Sequence, residues 1–66
     1  MEQTFLERLF EEKAQLTEKL EKLRTFIDSE KFQQIDDVQM TLLNIQIKAM
    51  ETYSQCLLER IVRLQN

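Results

Sequence analysis

Not one glycine or proline occurs in this chain of 66 residues. Glycine is the residue that enters a left-handed turn at no steric cost, and proline is the residue that ends a helix by removing an N–H donor. A chain lacking both has few ways to change direction except through right-handed helical turns or extended residues. Long helices are therefore expected, joined by a connection that is itself helical.

The apolar residues agree with that expectation. Between 36 and 66, apolar side chains recur at spacings of three and four, as one buried face of a helix requires. Met40, Leu43, Ile47, Met50, Ser54, Leu57, Ile61 and Leu64 form a heptad seam that only Ser54 interrupts. A small polar residue there either fixes register or is merely tolerated. Leu42, Ile45, Ala49 and Cys56 lie off that seam, so this helix is apolar on more than one side. With one other long helix in the chain to cover them, two apolar sides predict self-association, a foreign partner helix or aggregation.

In the first half, Thr4 followed by Glu7 is a capping box. Two heptad rows follow: Leu6, Lys13, Leu20, Ile27, and Leu9, Leu16, Leu23. The stem of Lys13 can cover the seam while its ammonium reaches water. Glu18 and Lys22 make a favourable pair one turn apart. Phe5 and Phe10 flank the seam and serve either the hairpin core or a second subunit. Asp28 and Ser29 close the first helix and cap a short turn, with Phe32 and Ile35 giving that turn an apolar underside. Asp36 or Asp37 caps the second helix. The resulting fold is all-α: one domain over 1–66, with residues 1–3 as a lead, helix 1 at about 5–28, a turn at 29–35 and helix 2 at about 36–65. The two helices return antiparallel as a hairpin and assemble as a homo-oligomeric bundle. A lone hairpin of this size has a marginal core, and one cysteine cannot form an internal disulfide, so oligomerisation is the natural remedy.

Composition removes several function classes. There is no histidine and a single cysteine, which leaves no ordinary zinc or haem site and no histidine-based triad. Phosphate-cradling loops need glycine. No enzyme activity, metal or cofactor is expected. Net charge is −3, with nine basic residues interspersed among twelve acidic ones, unlike a DNA- or RNA-wrapping protein. No apolar run approaches a membrane span, and the N-terminus lacks the basic start and apolar core of a signal peptide, so a cytoplasmic protein is expected. Cys56 reads as a small buried hydrophobe in a reducing compartment.

One row of the second helix has chemistry suited to a ligand. Gln46, Tyr53 and Arg60 are spaced by sevens and share a face beside the seam, next to Met50 and Leu57. An amide, a phenol and a guanidinium can together grip a planar anion. Equally, they can form a polar rim with an amphipathic tyrosine and a snorkelling arginine.

The chain resembles a group of very small proteins of tailed bacteriophages, crAss-like phages among them. The matching residues are Lys19, Leu20, Lys22, Leu23, Phe26, Ile27 and the turn Ser29-Glu30-Lys31-Phe32. In helix 2 they are Leu42, Leu43, Gln46, Ala49, Met50, Tyr53, Leu57, Arg60 and Ile61. In size and architecture this group is similar to phage anti-CBASS and anti-Thoeris sponges, homo-oligomers that hold cyclic nucleotide or ADP-ribose-type immune signals between subunits without cleaving them. The resemblance implies a sponge in the host cell cytoplasm, with itself and a cyclic oligonucleotide or cyclic ADP-ribose-type signal as partners. The alternatives are a helical inhibitor or adaptor of a host or defence protein, and a structural oligomerisation module. On physical grounds Arg60 and Lys31 would take phosphates, and Tyr53 and Phe32 would stack on bases. Gln46 and Ser29 would add polar contacts, with Met50 beside them. Lys31 and Arg60 are separated by most of helix 2, roughly 35 Å, so a shared pocket needs a second, antiparallel subunit.

Overall fold

The computed structural model describes residues 4–65; the lead at 1–3 lies outside them. Two helices, α1 (Phe5–Ile27) and α2 (Asp37–Gln65), are joined by a 3-10 turn at Glu30–Gln34. They fold back on each other as a hairpin 45 × 22 × 15 Å in extent. The long dimension equals the length of α2, whose 29 residues at about 1.5 Å each span roughly 44 Å. Among the described residues no helix is long and apolar enough to cross a membrane.

The ends of the helices follow from local chemistry. The Glu7 amide donates to Thr4 Oγ1 at 3.1 Å, and the Arg8 amide donates to the Thr4 carbonyl, which starts α1. The Gln39 amide donates to Asp36 Oδ1 at 2.8 Å, so Asp36 rather than Asp37 is the cap of α2. Chain reversal is achieved without any positive-φ residue among those described. Two extended residues, Ser29 (ψ 161°) and Ile35 (ψ 162°), bracket the 3-10 turn and supply the two changes of direction. The Ser29 hydroxyl does not cap that turn. It donates backwards to the Phe26 carbonyl at 2.6 Å and so closes the end of α1.

The core is one seam. Leu9 and Leu16 of α1 pack with Leu57 and Ile61 of α2, and Leu6 and Met50 close the cluster. Leu57 is fully buried. At the turn, Phe32 is 7% exposed and meets the Phe26 ring edge-on, centroids 6.1 Å apart. The heptad rows read from the sequence are the buried rows here, with one departure: Leu64 is exposed, because it lies past the start of α1 at Phe5. Cys56 corrects a second expectation. It is exposed, since Leu57 and Ile61 take the seam and Cys56 falls outside it.

Candidate functional site

An antiparallel hairpin has two long sides where the helices meet, and here they differ. On one side the charges satisfy each other. Arg24 Nη2 donates to Glu51 Oε2 at 2.6 Å, and Lys48 lies 3.9 Å from the same carboxylate, beside a groove that also holds Lys13, Thr17 and Ser54.

The other side carries cations that lack such partners. The register comes from the heptads. Phe5, Glu12, Lys19 and Phe26 recur by sevens along the flank of α1, and Arg60, Tyr53 and Gln46 recur by sevens in the opposite sense along α2. The Arg60 guanidinium carbon sits 5.5 Å from the centroid of the Phe5 ring, within cation–π range. Seven residues onward in α1 and seven back in α2 place Glu12 level with Tyr53, and seven more place Lys19 level with Gln46. The side groove that results has two widenings. The first, of about 390 Å³ at the tip of the hairpin, is lined by Phe5, Cys56, Glu59, Arg60, Arg63 and Leu64. The second, of about 360 Å³ nearer the turn, is lined by Lys19, Lys22, Leu23, Phe26, Gln46 and Met50. Lys22 is shared with Glu18 at 3.1 Å. Among the described residues Lys19, Arg60 and Arg63 form no ion pair.

The groove sets cations, aromatic rings and an amide side by side. A guanidinium placed over an aromatic ring has less freedom than one in water, and its N–H fork can still donate to phosphate or carboxylate oxygens. Lysines at the second widening offer point charges, Phe26 a ring and Gln46 an amide that both donates and accepts. The Gln46 amide nitrogen has only the Met50 sulfur, a weak acceptor, at 3.9 Å, so its hydrogen-bonding capacity is largely free.

Of the residues singled out from the sequence, Gln46, Met50, Tyr53 and Arg60 fall on this side. Gln46 and Met50 line the second widening, Arg60 lines the first, and Tyr53 stands exposed between them. The turn residues do not join them within one chain. Lys31 is exposed at the far end, the Ser29 hydroxyl is taken by Phe26, and Phe32 is buried beneath Phe26, where its faces are covered by protein. Phe5, Lys19, Lys22, Phe26 and Arg63 were missed as site residues. The signal was present: Phe5, Lys19 and Phe26 share one heptad row, and an antiparallel partner brings that row beside Arg60 and Gln46.

Fold and groove together define a small helical-hairpin protein with an aromatic and cationic cleft along one side. The Sequestin family matches residues 3–63, and the chain belongs to that family. No curated protein and no solved structure matches it. The family's name points to the sequestration of a molecule.

Proposed function

We propose that this protein is a phage anti-defence sponge: it binds a cyclic nucleotide-type immune signal, a cyclic oligonucleotide or a cyclic ADP-ribose-type molecule, and holds it intact in the host cytoplasm. The observation that carries this reading is the Arg60 guanidinium over Phe5 beside Arg63, which forms no ion pair among the described residues, an arrangement that offers charge-assisted donors next to an aromatic face. About four helical turns away Lys19 and Phe26 again set a cation beside a ring, and Gln46 adds an amide. Both widenings are shallow, so a ligand held tightly needs a further wall, which self-association into a homo-oligomer supplies. Holding without cleavage is in keeping with a chain that has no histidine to act as a general base beside Glu12 or Glu59.

The test is native mass spectrometry of the protein, alone and with cyclic di- and trinucleotides and cyclic ADP-ribose isomers. The expected result is an oligomer that gains one discrete ligand mass and releases that ligand unchanged on denaturation. A ligand released in altered form overturns sequestration in favour of turnover.

A second reading is a helical inhibitor or adaptor that binds a protein. It is favoured by the solvent face of α2, where Val38, Leu42 and Ile45 are each more than half exposed. An oligomer or monomer that takes up no member of the nucleotide panel moves the assignment to this reading.

A further inference from the structure

The solvent face of α2, opposite the seam, carries Val38, Leu42, Ile45, Ala49 and Cys56, all exposed. Their spacings alternate four, three and four, with Thr52 at the remaining position, which is a second coiled-coil stripe on the same helix. Charge is nearly absent from this part of α2. Between 38 and 58 only Lys48 and Glu51 are charged, and Glu51 is turned towards Lys48 and Arg24. A face apolar at its centre and depleted of charge has the composition of an interface core.

We infer that this face pairs with the same face of a second copy, antiparallel, with the two-fold axis at the level of Ile47. Three features of the chain fix that register. The stripe is self-complementary in this sense: Val38 meets Cys56 of the second copy, Leu42 meets Thr52, and Ile45 meets Ala49, so large residues face small ones. The two ends of α2 are opposite in charge. Asp36 and Asp37 begin it, while Arg60 and Arg63 against Glu59 lie in its last turns. Antiparallel pairing sets an acidic end on a basic end twice, whereas parallel pairing sets like on like. Finally, Gln46, Tyr53 and Arg60 lie along one flank of the stripe, and in an antiparallel pair the equivalent flanks fall on the same side. The side grooves of both copies then open beside one another. Arg60 of one copy comes level with the turn of the other, which places it at the end that carries Lys31. Residues separated by the length of α2 in one chain thus reach a common level. The inference deepens the self-association named in the sequestering reading, and its test requires no ligand.

The native cysteine makes the register measurable. In the antiparallel pair the two Cys56 residues are about 27 Å apart along the axis, far beyond the roughly 7 Å Cα separation a disulfide tolerates. Val38→Cys places a thiol opposite Cys56 of the second copy at a position that is 67% exposed, so folding is not at risk. Under diamide oxidation V38C should run at twice the monomer mass on a denaturing gel. Wild type, V38C combined with Cys56→Ser, and Glu21→Cys on the outer side of α1 should stay at monomer mass. A wild-type cross-link means parallel pairing and overturns the inference, as does V38C remaining at monomer mass, whatever its oligomeric state by sedimentation. Cross-linking of V38C alongside failure to bind any cyclic nucleotide would leave this interface standing and remove the sequestering reading. Nucleotide binding with no V38C cross-link would do the reverse.

Discussion

α2 carries two apolar stripes, and only one of them is covered. On the inner stripe Leu57 and Ile61 are buried against Leu9 and Leu16. On the outer stripe Val38 and Ile45 stand 67% and 58% exposed. Both carry large aliphatics, more of them on the inner stripe. The difference lies in what faces each: the inner stripe meets the leucine rows of α1, and a two-helix hairpin has nothing left for the outer one. Which of two apolar faces is covered is decided by topology, and the uncovered one is informative about partners.

The largest expected effect tests that contrast directly. Leu57→Ala should cost about 2–5 kcal/mol of unfolding free energy, since it removes buried volume that two helices cannot refill. Ile45→Ala, measured in urea at concentrations where the chain is monomeric, should cost less than about 0.5 kcal/mol. Equal losses at the two positions would mean that the outer stripe is packed even in the single chain.

The flank between the stripes should respond in binding rather than in stability. Arg60→Ala is expected to weaken a phosphate-bearing cyclic nucleotide by about 1.5–3 kcal/mol, the range for hydrogen bonds to charged groups, which is at least tenfold in Kd. Arg60→Lys should recover only part of this, because an ammonium keeps the charge and loses the fork. Circular dichroism should be unchanged in both variants, and titration calorimetry reads the affinity.

Thr4→Ala should cost about 1 kcal/mol through loss of the N-cap, visible as a lower thermal midpoint. It frays the turn that holds Phe5 under Arg60, so binding should weaken along with it. The smallest effect belongs to the opposite flank. The Arg24–Glu51 pair is about half exposed, and replacing Arg24 by Ala should cost below about 1 kcal/mol, an effect that fades in molar salt. Insensitivity of ligand binding to this change would confirm that the two sides of the hairpin are functionally distinct.

Much of this fold was legible in the residues. The heptads marked the seam, Thr4 and the Asp36-Asp37 pair marked two helix starts, and the lack of glycine and proline pointed to a helical reversal, because each of these is a local property of the backbone and its nearest neighbours. The groove was legible only in half. Gln46, Tyr53 and Arg60 could be placed on one face from their spacing, but a helix flank becomes a cleft only when a second helix supplies the other wall. Phe5, Lys19 and Phe26 looked like an aromatic start and a solvated face until α1 was set beside α2.

Residues near the turn show the same division. Phe32 and Cys56 are side chains of ambiguous habit: an aromatic ring can stack on a ligand or fill a core, and a thiol can be buried or exposed. Sequence alone determined that the chain makes two long helices with a seam between them and an apolar stripe left over. Tertiary structure decided which ambiguous side chains were covered, burying Phe32 under Phe26 and leaving Cys56 outside. It also decided which cations were neutralised, pairing Arg24 with Glu51 while leaving Arg60 on a ring and Arg63 with no ion pair among the described residues. The physical reason is that helix formation and periodicity are set within a few residues, whereas burial and charge pairing depend on which distant residue the fold brings to within a few ångströms.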